Sequence, residues 1–135
     1  MIETIYAGSL DYEYLKENDR HIKAGVLENK IKAKEVIVLK ENGRQIGWLR
    51  YGLFWDTIPF MNMLYIEESY RRRGLGQQLV LFWEDEMKRH GYTIVMTSSF
   101  SNEEAQHFYR KIGYKDSGSL LLPNEPLEII FIKHL

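Results

Sequence analysis

The stretch that decides the fold is Arg71-Arg72-Arg73-Gly74-Leu75-Gly76, because it joins a strand-like segment to a helix-like one. Residues 60–66 before it are largely apolar, which predicts a strand buried on both faces. After it, apolar side chains recur at helical spacing as far as a stop signal at Gly91. The residues on this predicted apolar face are Leu75, Leu79, Phe82, Trp83 and Met87. The region is therefore predicted to be a strand, a turn and a helix.

The turn has the composition of an anion-binding site. The first backbone N–H groups of a helix have no intrahelical acceptor, and the helix dipole places partial positive charge there. Gly74 and Gly76 have no Cβ, so an oxygen-rich group can approach the main chain, while the three arginines supply donors and charge. A pyrophosphate fits this description. The alternative is a solvated basic patch in which the glycines only shape a loop.

The glycine spacing disfavours two common nucleotide-binding motifs. Gly74-x-Gly76 matches neither G-x-x-x-x-G-K-[ST] nor G-x-G-x-x-G. Gln77, Gln78 and Leu79 stand where those motifs need Lys and Ser/Thr, or a third glycine. A P-loop ATPase and a Rossmann dehydrogenase are therefore disfavoured.

Upstream of this region the pattern predicts a strand, a helix and a hairpin. Residues 2–6 form a short strand, and residues 19–32 form an amphipathic surface helix. The apolar positions of that helix are Ile22, Val26, Leu27 and Ile31. Residues 35–39 and 45–51 are rich in β-formers and flank Asn42-Gly43, the dipeptide that best tolerates positive φ in a tight turn. These residues are predicted to form a β-hairpin.

Downstream, the pattern predicts a strand, a second helix and two final strands. Residues 93–97 are the strand, and Ser101-Asn102-Glu103-Glu104 matches a capping box that would begin a helix ending at Gly113. The apolar face of this helix is Ala105, Phe108, Tyr109 and Ile112. Residues 116–122 and 127–133 are the last strands, on either side of a proline turn.

The resulting order of elements, β-α-β-β-β-α-β-α-β-β, predicts an α/β fold on a mixed sheet. Hairpins make antiparallel neighbours, and strand-helix-strand units make parallel ones. No Pro/Gly/Ser-rich linker divides the chain, so residues 1–135 are expected to form a single domain.

Composition narrows the classes of function. The formal net charge is −1, with 44% hydrophobic and 27% charged residues, which excludes a disordered chain and disfavours nucleic acid as a partner. The absence of cysteine excludes disulfides, thiolate metal sites and a thiol nucleophile, and the four histidines show no metal-ligand spacing. The first residues lack a signal-like pattern and no apolar run is long enough for a membrane, so a cytoplasmic protein is expected.

Two motifs together resemble the GNAT N-acetyltransferases. The acetyl-coenzyme A (acetyl-CoA) signature of that family is Gln/Arg-x-x-Gly-x-Gly/Ala, and residues 71–76 match every fixed position. A second family feature, Asn-x-x-Ala-x-x-Phe-Tyr followed by a Gly-aromatic pair, is present in residues 102–109 and in Gly113-Tyr114. The resemblance implies a mixed sheet of about six to seven strands with a central parallel pair, flanked by helices. It also implies acetyl-CoA as cosubstrate and a primary amine as acceptor.

The resemblance assigns cofactor contacts to the turn, to the strand before it and to the region of the later helix that contains Asn102 and Phe108. Backbone N–H groups of the turn would hold the pyrophosphate, and the strand ending at Ile66 would pair with the pantetheine arm. The amide near Leu64 would face the thioester oxygen, where a fixed donor stabilises developing negative charge. The residues implied in cofactor binding are Leu64, Ile66, Arg71, Arg72, Arg73, Gly74, Leu75, Gly76, Gln77, Asn102 and Phe108. Family members commonly have a bulge and two splayed parallel strands at this point.

Tyr109 is the proton donor that the family position implies for the departing thiolate. A phenol with pKa about 10 is close enough to a thiol near 8.5 to share or transfer a proton. The alternative is a core residue on the apolar face of its helix, with its hydroxyl bonded to the protein.

The attacking amine must lose a proton, and three carboxylates are candidates to help. They are Glu67, Glu68 and Asp56, although each can equally be a solvated acid. His107 is two positions before Tyr109 in the sequence but lies on the other side of its helix from Tyr109, so we expect it on the surface.

The leading hypothesis is an enzyme that acetylates a primary amine by direct attack in a ternary complex. The main rival is an acyl-CoA sensor without a productive acceptor site, and a nucleic-acid-binding domain is a third class. The acceptor, a small molecule or a peptide, is not identified by the sequence. The aromatic residues Tyr51, Phe54, Trp55 and Phe60 are candidates for an acceptor pocket, a homodimer interface or core, and Trp55 is the one most expected to be exposed.

Overall fold

The computed structural model describes all 135 residues as seven strands and four α-helices, with two short 3-10 helices at residues 9–11 and 68–70. The strands are β1 (Ile2–Tyr6), β2 (Val36–Glu41), β3 (Arg44–Phe54), β4 (Ile58–Ile66), β5 (Ile94–Phe100), β6 (Lys115–Leu120) and β7 (Glu128–His134). The helices are α1 (Tyr12–Asn18), α2 (Ala24–Lys32), α3 (Leu75–Arg89) and α4 (Ala105–Lys111). None of these helices combines the length and apolar content needed to cross a membrane.

The strands form one mixed sheet in the order β1-β2-β3-β4-β5-β7-β6. The pair β4 and β5 is parallel, and β1–β2, β2–β3, β5–β7 and β6–β7 are antiparallel. The predicted hairpin is confirmed, since Asn42 and Gly43 have φ of +50° and +85° in the turn between β2 and β3. The predicted mixed α/β sheet with a parallel pair and flanking helices is also confirmed.

The chain divides into two compact units: Met1–Tyr51 with Met63–Trp83, and Gly52–Asn62 with Glu84–Leu135. In the first unit, helices α1 and α2 cover one face of the β1–β3 ladder. Their buried core comprises Ala7, Leu15, Leu27, Ile31, Val36, Val38 and Trp48. This arrangement places the segment that joins α1 to α2 beside the C-terminal end of β4.

In the second unit, α4 packs on the strands β5, β7 and β6 through aromatic rings. Tyr109 lies with ring centroids 5.8 Å from both Tyr114 and Phe131. A buried polar cluster adjoins them, in which Glu84 accepts hydrogen bonds from the Tyr114 hydroxyl at 2.7 Å and the Lys133 ammonium at 2.9 Å. Burial and the charge of Glu84 raise the pKa of the Tyr114 phenol, so this hydroxyl stays a donor.

The structure corrects the prediction of one helix over residues 19–32. Within that range only α2 (Ala24–Lys32) is helical, and residues 19–23 form a non-helical segment that begins at Asp19, where φ and ψ are −88° and 100°. Helix α1 (Tyr12–Asn18) ends before that range and has no counterpart among the predicted elements. The Asp19 carboxylate is committed to side chains of β3, which pulls this residue out of helical geometry. Of the predicted apolar positions, Leu27 and Ile31 are buried in α2, whereas Val26 is 48% exposed.

The predicted capping box at residues 101–104 is wrong, because α4 begins only at Ala105. The Ser101 N–H donates to the Leu127 carbonyl at 2.7 Å, and the Glu103 carboxylate accepts from the Phe100 N–H at 3.0 Å. These bonds hold residues 101–104 as a turn before the helix. On the helix itself only Tyr109 is buried, and Ala105 is exposed.

The prediction that residues 60–66 are buried on both faces is also wrong. In this part of β4, Met61 is buried, Asn62 is exposed, and residues 63–66 are half-buried. The physical reason lies partly in the sheet, because the β4–β5 ladder has only the pairs Phe60↔Met96 and Met61↔Thr97. Residues 63–66 therefore lie beyond the last pair, and two of them line open cavities described below.

Candidate functional site

The turn between β4 and α3 presents backbone donors. The Arg71 N–H donates to the Glu68 carbonyl, and the first bond of α3 runs from the Gln78 N–H to the Gly74 carbonyl at 3.0 Å. By helix geometry, the amides just before Gln78 have no acceptor within α3. The turn thus presents several N–H groups at the positive end of a 15-residue helix.

Two residues of this turn have left-handed backbone conformations. Arg72 has φ +62° and Gly74 has φ +77°. A Cβ placed on Gly74 would meet no atom within 4 Å, so the glycine is required by its φ and not by packing. The open space around Gly74 is what the approach of a phosphate oxygen to the main chain requires.

The three arginines of the turn have different surroundings. The Arg71 guanidinium donates to the Ile66 carbonyl at 2.7 Å and lies 5.2 Å from the ring of Tyr65, so it ties the turn to the end of β4. Arg73 stacks over the ring of Tyr70 at 5.4 Å. Arg72 is exposed and lines an open cavity of about 670 Å³. Of the three, Arg72 is the one that lines this cavity.

This cavity, here named the Arg72 cavity, is lined by Asn18, Tyr65, Glu67, Glu68, Ser69 and Arg72. It brings two of the three candidate carboxylates, Glu67 and Glu68, beside the turn. Glu68 is exposed. Glu67 accepts hydrogen bonds from the Tyr14 hydroxyl at 2.8 Å and from Arg44 at 2.9 Å. Burial and the bond to Glu67 raise the pKa of the Tyr14 phenol.

The C-terminal end of β4 lies directly against β3. A Cβ on Gly47 would come within 2.6 Å of the Tyr65 carbonyl oxygen, closer than any side chain tolerates. The Glu67 N–H donates to the Ile46 carbonyl at 2.8 Å, which fixes the exit of the strand. Leu64 and Ile66 therefore lie on a strand held firmly from the β3 side, while the ladder with β5 has already ended at Met61.

Tyr109 is buried in the second unit, with 6% of its surface exposed. Burial raises the pKa of Tyr109 to about 12, a hydrogen bond with Thr97 lowers it, and the charge of Glu103 raises it. The Thr97 hydroxyl in turn donates to the Met61 carbonyl at 2.9 Å. A pKa this far above that of a thiol makes Tyr109 better suited to donate a hydrogen bond to a thiolate than to transfer its proton fully.

The remaining predicted residues differ in exposure: Leu75, at the start of α3, is buried, whereas most of the others lie at the surface. Asn102 is exposed in the turn before α4, and Phe108 is half-buried with its ring 5.4 Å from that of Tyr109. His107 is exposed, as predicted. Asp56 and Trp55 occupy the exposed β3–β4 turn with φ of +61° and +54°, and Trp55 is 77% exposed, as predicted.

The sequence analysis missed a second cavity, of about 340 Å³, here named the Trp48 cavity. It is lined by four of the five residues 17–21, together with Trp48, Met63 and Tyr65. It shares Asn18 and Tyr65 with the Arg72 cavity, so the two are neighbours. The sequence contains one signal for it. Arg50 is a charged residue inside an apolar strand and needs a buried partner, and that partner, Asp19, lies in the chain between two of the lining residues.

The sheet order, the short parallel ladder and the exposed helix amides together define an α/β domain with a candidate anion-binding turn after its fourth strand. The model of the acetyltransferase (GNAT) family matches residues 2–114. This chain belongs to that family.

Several solved structures share the fold of this chain. A GNAT family acetyltransferase from Bacillus cereus is 22% identical with a TM-score of 0.80, over 99% of this chain and 97% of that one. YncA, a putative acetyltransferase from Salmonella typhimurium solved with its cofactor acetyl-CoA, is 17% identical with a TM-score of 0.80, over 98% and 93%. The ribosomal-protein-S18-alanine N-acetyltransferase from Escherichia coli is 15% identical with a TM-score of 0.79, over 99% and 94%.

Proposed function

We propose that this protein transfers an acetyl group from acetyl-CoA to a primary amine by direct attack in a ternary complex. The observation that carries the proposal is the turn at residues 71–77, where amides without helical acceptors surround an open glycine with φ +77°. A diphosphate offers the charge and the acceptors that this turn lacks. Because the chain belongs to the acetyltransferase (GNAT) family, acetyl-CoA is the molecule that carries this diphosphate.

The residues of the turn fit this cosubstrate in different ways. Backbone amides from Arg72 to Gln77 bind the diphosphate, and Arg72 adds a guanidinium from the exposed side. Arg71 acts by holding the turn on the carbonyl of Ile66. Leu64 contributes its amide to the thioester oxygen, where the negative charge of the transition state develops. Asn102 and Phe108 are further proposed contacts of acetyl-CoA.

Acetyl-CoA supplies an activated acyl group with a thiol as leaving group. The protein has to polarise the carbonyl, accept or relay the proton of the amine, and stabilise the departing thiolate. Tyr109 donates a hydrogen bond to that thiolate in this proposal. Glu67 is the better placed carboxylate for the amine, because the Arg44 guanidinium and the Tyr14 hydroxyl hold it at the wall of the Arg72 cavity.

The test measures thiol release from acetyl-CoA against a panel of amines: phenethylamine, spermidine, lysine, glutamate and an alanine-starting tetrapeptide. Amine-dependent release, with mass-spectrometric detection of the acetylated amine, is the expected result. Calorimetry with coenzyme A runs beside it. Tight binding of coenzyme A without transfer to any amine supports the alternative, a sensor of acyl-CoA, and absence of binding contradicts both.

A further inference from the structure

The Trp48 cavity is built around a residue that does not face it. Residues 17, 18, 20 and 21 line the cavity, and Asp19 in their midst points inward with its side chain fully buried. Trp48, which forms part of the cavity floor, donates its indole N–H to Asp19. Most of the lining is therefore either next to Asp19 in the chain or held by it.

Four donors surround the Asp19 carboxylate. Arg50 donates to Oδ2 from Nε at 2.8 Å and to Oδ1 from its terminal nitrogen at 3.2 Å. The indole N–H of Trp48 donates to Oδ2 at 3.3 Å, and the His21 N–H donates to Oδ1 at 3.3 Å. Both oxygens are thus used, and the bonds reach two strand side chains and the backbone of the cavity wall.

Net stability is a weak reason for such a pair in this protein. Taking two charges out of water costs several kcal/mol per ion, and well-packed apolar residues of similar volume often stabilise a protein as much or more. Directional bonds do what apolar packing cannot, since they fix a segment in one orientation. Residues 19–23 lie outside both flanking helices and need such a constraint.

The ion pair also fixes the floor of the cavity. Trp48 is held at its indole N–H by Asp19, and its ring lies 4.6 Å from Tyr65 and 5.8 Å from Tyr14. Tyr65 and Met63 belong to the half-buried end of β4. The floor is therefore an ordered apolar surface beside the strand that carries Leu64.

We propose that the Trp48 cavity receives the acceptor of the acetyl group, and that Asp19 is the residue that positions its wall through Arg50 and Trp48. The inference rests on the proposed function. The cavity takes a primary amine attached to an apolar or aromatic group: Met63 and Tyr65 contact that group, and the buried ring of Trp48 supports Tyr65 from below. The rest of the lining, residues 17, 18, 20 and 21, is polar. The amine, which is an ammonium in solution, lies toward Glu67 and Glu68 in the adjoining Arg72 cavity.

The experiment compares Asp19→Asn with a matched control, Glu84→Gln. Glu84 is also buried and also bonded to two side chains, but it lies in the other unit. Steady-state kinetics with phenethylamine should show KM raised at least tenfold in D19N with kcat within threefold, and E84Q should leave KM unchanged. Hydrogen exchange of amides 17–23, followed by mass spectrometry, should accelerate in D19N and not in E84Q.

Several outcomes would overturn the proposal. A KM for phenethylamine that changes no more in D19N than in E84Q removes the positioning role. Wild-type transfer to spermidine but not to phenethylamine removes the apolar acceptor while leaving the proposed function intact. Coenzyme A binding without transfer to any amine removes both the proposed function and this inference.

A second variant covers poor folding of D19N. The double change Asp19→Leu with Arg50→Met replaces the pair by apolar side chains, which keeps the interior free of an unpaired charge. Coenzyme A affinity within twofold of wild type shows that this protein is folded. Its KM for phenethylamine should still be raised at least tenfold, and an unchanged KM contradicts the proposal.

Discussion

The hydroxyl of Tyr14 in α1 donates a 2.8 Å hydrogen bond to Glu67, the first residue after β4. The other oxygen of the same carboxylate accepts from Arg44 at the start of β3. Three separate segments of the first unit therefore meet at one acid. This acid lies at the wall of the Arg72 cavity, directly before the 3-10 turn at residues 68–70 that leads to α3.

Replacement of this acid tests its role toward the amine. Glu67→Gln should lower kcat about 10- to 100-fold near neutral pH, because assistance from a positioned base is lost. The deficit should shrink as the pH approaches 10, where an alkyl amine loses its proton to water unaided. Glu68→Gln is the control, since Glu68 lines the same cavity but is exposed. Equal effects of the two substitutions would count against a base at Glu67.

Tyr109→Phe tests the donor for the thiolate. We expect kcat to fall at least tenfold while the calorimetric Kd for coenzyme A stays within threefold, because only the hydroxyl is removed. Unchanged turnover would mean that Tyr109 is a core residue bonded to Thr97.

The pH profile adds a second test of the same residue. The pKa of Tyr109 is raised to about 12, so its hydroxyl keeps its proton throughout the stable range of most proteins. Between pH 8 and about 10.5, the pH dependence of kcat should therefore be the same in the wild type and in Tyr109→Phe, with no alkaline decline specific to the wild type. A decline near pH 10 that this substitution removes would contradict the buried, protonated phenol.

Gly74→Ala tests the left-handed turn. The position has open space for a methyl group but has φ +77°, so the substitution should cost about 1–2 kcal/mol of stability and weaken coenzyme A binding. Gly25→Ala is the matched control, because Gly25 lies inside α2 with equally open surroundings. That control should stabilise the protein by about 0.5–1 kcal/mol. Chemical denaturation and calorimetry measure both effects.

Asp11→Asn should reveal a pH-dependent contribution to stability. Burial tends to raise the pKa of Asp11, but hydrogen bonds from the Gly8 N–H, Gln45 and Lys40 outweigh it and hold the pKa below its usual 3.8. A lowered pKa in the folded state means that the stabilisation is present above about pH 3.8 and is lost as the pH falls through the folded value. The variant should be about 1–3 kcal/mol less stable at pH 7. The difference from wild type should narrow as the pH falls below about 3.8, and a difference that stays constant over that fall would contradict this account.

Local signals predicted most elements, because each has its own chemistry in the sequence. Asn42-Gly43 specifies a hairpin turn, and the helical spacing of apolar residues specifies α3. Four of the five predicted apolar positions of α3 are buried, and the fifth, Phe82, is half-buried. Gly91 has φ +91° just after this helix, as its capping role requires. These features depend on residues close together in the chain.

The errors arose where a distant residue decides local structure. The break at Asp19 depends on Arg50, which is 31 positions away, so periodicity alone carried the helix through residues 19–23. Ser101 looked like a cap because its partner, the Leu127 carbonyl, comes from a segment 26 residues later. The Trp48 cavity was missed for the same reason, since its lining comes from three separated stretches of chain.

The outer strand β6 has a last consequence. Its ladder with β7 changes register between Asp116 and Gly118, and all of its side chains are exposed. An uninterrupted row of free amides and carbonyls would invite the strands of other molecules to stack onto it without limit. The irregularity breaks that row near its middle, which disfavours fibre formation through this edge strand.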